Sequence, residues 1–203
     1  FGFVKNKNRE NGRQCYLTDH RLFQSFEKFD NEMAEKCRQV GCQYCSGVLH
    51  RSDYTRKPRG GPTSDEPPPD VYRDSFCCDK EGCRKRHTPP SIRFLGRRVY
   101  WAVVVILTTA LRHGINNHRL QILRGHLQID RRTLERWRQW WLDTFVKSQF
   151  WKSARAWFAP PLCEATLPFS LCEAFAIDRQ DQLLKLLHFL GPMTTPSLPW
   201  SQA

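Results

Sequence analysis

Six of the nine cysteines lie in one stretch, at Cys37, Cys42, Cys45, Cys77, Cys78 and Cys83, and His87 follows closely. This cluster constrains the fold more than any other feature. Cys42-Gln-Tyr-Cys45 has the two-residue spacing of a metal knuckle, and Cys78-Asp-Lys-Glu-Gly-Cys83 forms a second, longer one. Two short knuckles joined by strands supply the four tetrahedral ligands of a structural Zn2+. Cys42, Cys45, Cys78 and Cys83 are therefore the expected ligands. Successive strand residues point to opposite faces, so Cys77 and Cys78 do not readily share one ion. Cys78 runs directly into the knuckle and is preferred, with Cys77, Cys37 and His87 in reserve. The competing reading is a set of buried cysteines acting as small apolar side chains. An odd, clustered set with no visible signal peptide suits an intracellular metal site better than a disulfide framework.

The flanks of the cluster read as follows. Residues 1–14 form a basic, polar lead. Between Leu17 and Arg38, Leu22, Phe23, Phe26, Phe29 and Met33 recur at helical spacing. This predicts an amphipathic helix that Thr18 or Asp19 caps and that packs on the ribbon. Val48–Tyr54 and Val71–Cys78 read as the two ribbon strands. The Pro- and Gly-rich segment between them reads as a long hairpin loop.

Residues 84–98 hold Arg84, Lys85, Arg86, Arg93, Arg97 and Arg98 without an acid, and read as a basic connector stiffened by Pro89 and Pro90. A nearly all-apolar helix is expected from Arg97 to His113, ended by Gly114. Its most apolar stretch, Trp101 to Leu111, is about half of the ~20 residues needed to span a bilayer, so a buried core helix is expected. Leu120–Leu127 reads as a short helix. Asp130 then reads as the N-cap of a second helix, with Leu134, Trp137 and Trp141 on its buried face. Arg131, Arg132, Arg136 and Arg138 fall mostly on the outer face. The pair has the pattern of a helix-turn-helix over about 119–145, with Gln128 in place of the usual turn glycine. The bland alternative is an amphipathic helix with a solvated arginine face. Phe150–Phe158 reads as another short helix, and Gln180–Leu190 as an amphipathic one with Leu183, Leu184, Leu187 and Leu190 inward. Residues 191–203 read as a disordered tail.

The expected architecture is mostly α with a small β zinc ribbon. Residues 37–88 form the ribbon, after an N-terminal helix and lead in 1–36, and a helical domain containing the helix-turn-helix follows over 97–190. A formal charge of +12 and a pI near 9.5 favour a polyanionic partner, nucleic acid first. Duplex DNA is the expected partner. Arg131, Arg132, Arg136 and Arg138 would face the groove, and Arg84, Lys85 and Arg86 would add phosphate contacts. The seven histidines are scattered, and neither a nucleophile elbow nor a phosphate loop is present, so no catalytic residues are expected and the chain reads as a non-enzyme. No membrane association is expected, and the location reads as cytoplasmic and nucleoid-associated. Two other readings are a zinc-ribbon adaptor for protein partners and an RNA-binding ribbon protein.

Cys42-x2-Cys45, Phe76-Cys77-Cys78-x4-Cys83, the basic run with Thr88-Pro89-Pro90, and Asp130-Arg-Arg-Thr-Leu-Glu-Arg-Trp137 together resemble the N-terminal region of bacterial insertion-sequence transposases. The resemblance covers about residues 37–145 and extends to uncharacterised bacterial relatives with SFCC…GCR…TPPS…RFLGRRVY. It implies a zinc ribbon and helix-turn-helix that bind transposon-end DNA, alongside a transposase or recombinase partner. The Asp-Asp-Glu nuclease core of that family has no counterpart in the 60 or so residues that follow, where Asp178 and Asp181 read as solvated residues at a helix start. The resemblance therefore extends to DNA binding and not to transposition chemistry.

Overall fold

The computed structural model describes residues 20–56, 71–94, 101–110, 117, 120, 121, 124 and 129–195. The basic lead, the Thr18/Asp19 cap, the Pro/Gly-rich loop, Arg97, Arg98, the Gly114 stop, the turn at Gln128 and residues 196–203 lie outside this set. The chain is mostly helical, with two small antiparallel sheets and a four-cysteine cluster. Among the described residues no helix is long and apolar enough to cross a membrane.

Helix α1 spans His20–Val40, two residues beyond its expected end. Its apolar stripe divides between two cores. Leu22, Phe23 and Phe26 enter the large helical core, where the Phe23 ring meets Trp101 edge-on at 4.9 Å. Phe29 and Met33 pack partly against the same core. Ala34 and Cys37 lie one to two turns further on and join the small core of the cysteine region. The helix was expected to pack on the ribbon, and Ala34 and Cys37 do so. The helix bridges both halves, because its large aromatic residues sit in its first turns.

Each expected ribbon strand is broken in two. β1 (Leu49–Arg51) and β4 (Phe76–Cys78) pair antiparallel, with Leu49 opposite Cys78. β2 (Tyr54–Arg56) and β3 (Val71–Arg73) form a separate two-stranded sheet. The hairpin bends at Asp53, whose carboxylate accepts from the Ser75 N–H at 2.9 Å and so replaces a ladder bond. The third strand of the cysteine sheet is β5 (Arg86–His87), paired with β4. Sequence reading had assigned these residues to a connector.

The rest of that connector is a buried junction. Ser91, Ile92, Arg93 and Phe94 are each at most 4% exposed. Arg93 Nε donates to the Asp30 carboxylate of α1 at 2.7 Å, and its Nη2 donates to the Tyr72 carbonyl at 3.0 Å and to Asp74 at 3.3 Å. Asp30 also accepts from Ser91 Oγ at 2.5 Å and from the Ile92 N–H at 2.8 Å. Asp74 is shared with Arg51 at 2.9 Å. A buried carboxylate needs this many donors, because desolvation without them would be costly. Arg93 is thus a structural residue and not a solvated cation.

Helix α2 spans Ala102–Thr109, with Trp101 as its N-cap and Ala110 as its C-cap. Trp101 leaves it in extended geometry and stacks on Phe94 at 5.6 Å. Asn117, Leu120, Gln121 and Arg124 are helical. Helix α3 (Arg131–Gln139) follows, and the chain continues as a π-helical segment, Trp140–Phe145, rather than as the α-helix that periodicity predicts. This wider winding holds a run of bulky residues, with Trp141 and Phe145 buried and Trp140 half-buried. The Trp141 indole N–H donates to Thr109 Oγ1 at 3.0 Å and ties the segment to α2.

Helices α4 (Gln149–Ala154), α5 (Phe169–Ala174) and α6 (Gln180–Leu190) complete the core. Ser148 caps α4 by accepting from the Trp151 N–H at 3.1 Å. In α6 Leu183, Leu186, Leu187 and Leu190 are buried, so Leu186 joins the expected face, while Leu184 is half-buried against the same core. The start of the expected disordered tail is ordered. Gly191–Thr194 forms a 3-10 turn, Thr194 Oγ1 accepts from the Ser91 N–H at 2.8 Å, and Thr195 Oγ1 donates to the Thr88 carbonyl at 3.0 Å.

Removing one partner of a buried ion pair strands the other charge, at a cost of about 3–5 kcal/mol. Asp30→Ala is therefore expected to lower the urea midpoint sharply at constant slope. Asp181→Ala, on an exposed helix start, should shift stability by no more than ~0.5 kcal/mol in the same experiment.

Candidate metal centre

The four expected ligands come together. The sulfurs of Cys42, Cys45, Cys78 and Cys83 all lie within 4.8 Å of one another. Cys42 Sγ is 3.7 Å from Cys83 Sγ, and Cys45 Sγ is 3.4 Å from Cys78 Sγ. A tetrahedron of thiolates about 2.3 Å from Zn2+ has edges of about 3.8 Å. The cluster therefore has the size and donor set to hold a metal ion of this kind.

Backbone turns set this spacing. In the first knuckle, the N–H groups of Cys45 and Ser46 both donate to the Cys42 carbonyl, at 3.3 and 2.7 Å. Ser46 follows the second cysteine with φ +55°. In the second knuckle, the N–H groups of Cys83 and Arg84 both donate to the Lys80 carbonyl, at 3.1 and 3.3 Å, and Arg84 has φ +44°. The two turns are alike, which explains the longer Cys78-x4-Cys83 spacing. Asp79 N–H still donates to the Val48 carbonyl at 3.1 Å, so sheet pairing continues past Cys78 before the turn begins at Lys80. Gly47 is fixed by space: a Cβ there would lie 3.0 Å from Cys78 Sγ and 3.3 Å from Cys45 Sγ.

The reserve ligands have other places. Cys77 points away from the centre, as strand alternation requires, with its thiol near the carbonyls of Cys78 and Arg84 at 3.7 and 3.6 Å. Cys37 packs against the small core, where burial pushes its thiol upward. His87 is 5% exposed, and its Nε2 lies 3.3 Å from Cys42 Sγ. It sits beside the quartet as a hydrogen-bonding neighbour of one ligand. Sequence reading treated His87 as an alternative ligand and missed this outer role. Its assignment to β5, directly opposite Phe76, is what places it there.

Burial resists ionisation of Cys42, but the Tyr44 N–H and the His87 ring outweigh it and bring the thiol down to about 6. Burial pushes Cys78 up to about 12. Metal uptake must expel protons, and affinity falls as pH falls.

The cationic residues separate into three groups. Arg131, Arg132 and Arg136 are exposed on α3, while Arg138 is half-buried. Asp130 caps the helix by accepting from the Thr133 N–H at 2.6 Å, and this bond holds its carboxyl below the usual range. Arg131 Nη2 donates to Asn117 Oδ1 at 3.0 Å, and Arg136 Nη2 donates to Thr133 Oγ1 at 3.2 Å. Arg84, Lys85 and Arg86 are exposed beside the second knuckle, with Arg86 Nη2 donating to Ser52 Oγ at 3.2 Å. Arg93 is buried, as described above. The chain matches no protein-family model, no curated protein and no solved structure.

Among the described residues the buried side chains of the small core are Ala34, Cys42, Leu49, Phe76 and Cys78, whereas the helical core is far larger. Stripping metal with a strong chelator should therefore loosen the cysteine region alone. Hydrogen exchange is expected to accelerate at the amides of Cys42, Cys78 and Cys83, with those of α2 and α6 unchanged. Uniform protection before and after chelation would show that the quartet does not rely on metal.

Proposed function

We propose that this chain is a DNA-binding protein in which Zn2+ folds the cysteine region as a zinc ribbon and α3 is the recognition helix of a helix-turn-helix. The carrying observation is the division of α3. Thr133, Leu134 and Trp137 are buried, while Arg131, Arg132, Glu135, Arg136 and Gln139 face outward from a capped N-terminus. The N-terminal part of such a helix is the part that reads base edges in the major groove. Arginine contacts guanine bidentately, or phosphate as a charge-assisted donor. The helical residues Asn117, Leu120, Gln121 and Arg124 precede α3, and the Asn117–Arg131 bond links them to it, which supports a two-helix unit. Arg84, Lys85 and Arg86 add a second basic strip for backbone contacts.

In this reading the chain is a binder and not an enzyme. It corresponds to the end-recognition part of a transposase-like system of bacterial mobile elements. A transposase or recombinase would act beside it. The resemblance in Cys42–Cys83 and Asp130–Trp137 supports this, as does the net charge of +12. The function places the protein in the cytoplasm, on the nucleoid.

Anisotropy titrations of labelled duplex DNA against the zinc-loaded chain test this reading. Log affinity should fall linearly with log salt, because released counterions drive binding. Arg132→Ala and Arg136→Ala should each weaken binding by roughly tenfold, with unchanged circular dichroism. Unaltered affinity and salt slope in both variants would remove α3 from the interface.

A further inference from the structure

The first knuckle carries a feature that metal binding does not use. Tyr44, in the middle of Cys42-Gln-Tyr-Cys45, is 58% exposed. Large aromatic side chains are seldom left in water without a reason, and here the neighbours are exposed too. Val40 and Val48 are 80% and 59% exposed, and they bracket the same knuckle, which the Cys42 N–H to Gly47 carbonyl bond closes at 2.9 Å. From the second knuckle, Lys85 Nζ lies 5.9 Å from the Tyr44 ring centroid. The His87 ring packs against Tyr44 in a tilted arrangement, with centroids 5.6 Å apart. Arg84 is exposed next to Lys85, held in place by its bond to the Lys80 carbonyl. Of the two acids in that knuckle, Asp79 faces His50 at 3.5 Å and Glu81 is exposed.

We propose that Tyr44 is a stacking platform for an unpaired base of single-stranded DNA, with Lys85 and Arg84 engaging the flanking phosphates. An exposed ring bordered by cations combines the two elements of single-strand recognition: a π-face that accepts any base and positive charge that follows the backbone. A duplex offers no free base face to such a ring. The occupant is therefore a frayed end, an overhang or a displaced strand. The proposal rests on the DNA-binding reading; it adds Tyr44 to the basic strip at the knuckles and names a different DNA form. A metal held by Cys42, Cys45, Cys78 and Cys83 would tie both knuckles together and so hold Tyr44 and Lys85 in register. The chain would then combine duplex recognition through α3 with capture of an unpaired strand at the knuckles.

The test is anisotropy of the zinc-loaded full chain with a labelled thymidine tract, the same tract as RNA, and a blunt duplex. The variants are Tyr44→Ala, Tyr44→Phe and Arg132→Ala, with zinc content measured for each. Tyr44→Ala should weaken binding of the DNA tract by roughly ten- to a hundred-fold. Tyr44→Phe should stay within about twofold of wild type, because it keeps the ring. Duplex affinity should be unmoved by either. Equal tract affinity in Tyr44→Ala, at full zinc content, overturns the proposal while leaving the duplex reading intact if Arg132→Ala still weakens the duplex. Tract binding lost in Tyr44→Ala, with a duplex affinity indifferent to Arg132→Ala, upholds the proposal and removes the α3 reading. Tighter binding of the RNA tract, or a Tyr44→Ala effect on self-association instead of on the tract, also overturns it.

Discussion

The Asp30–Arg93 pair is the constraint on which the arrangement of the whole chain depends. Asp30 comes from the middle of α1, and Arg93 from the strap between the cysteine sheet and the helical core. Both side chains are at most 5% exposed, and they meet at 2.7 Å. Asp74, from the bend between the two small sheets, closes the network on the other side of Arg93. Three segments far apart in sequence therefore share one buried electrostatic junction. Such a pair is poor evidence of net stability, because desolvation offsets much of its attraction. It is better understood as a device of position. Only one placement of sheet against helix lets Asp30 meet the donors of Ser91, Ile92 and Arg93 together. Thr194 and Thr195 clasp the same strap from the C-terminal side.

Around that junction the chain has two cores of unequal self-sufficiency. The helical core is closed by interlocking aromatic residues, with Trp141, Phe145 and Trp151 buried together. The cysteine region has almost no apolar filling beyond Leu49 and Phe76. Cross-linking by a metal would supply what its small hydrophobic core cannot. The cations assigned to DNA follow this division. One set lies on α3, built on the large core, and the other lies beside the second knuckle, built on the cysteines. Their relation in space is fixed through α1 and the Arg93 strap.

What could be read from the sequence was what is local. The cysteine quartet follows from knuckle spacing, and the preference for Cys78 over Cys77 follows from strand alternation. The Asp130 cap is a three-residue pattern, and the buried row Leu134, Trp137 and Trp141 is helical periodicity. What could not be read depends on contacts between distant residues. Arg93 sits in a run of cations, and its partner Asp30 lies 63 residues away on a helix whose other charges are solvated. Nothing in RKRHTPPSIRF marks Arg86–His87 as a strand, because two residues show no alternation. Residues 191–195 look like a tail by composition, and their anchors are hydrogen bonds to Thr88 and Ser91. Leu186 was legible, because Leu183, Leu186, Leu187 and Leu190 follow the i, i+3, i+4, i+7 spacing of a helix face.

The central claim is that Cys42, Cys45, Cys78 and Cys83 act as one closed clip around a metal ion, on which the basic knuckle surface is organised. X-ray absorption at the zinc edge of the purified chain tests this most directly. The account predicts one zinc per chain in a shell of four sulfurs at about 2.3 Å. Substoichiometric zinc, or a shell with nitrogen or oxygen in place of one or more sulfurs, would contradict it.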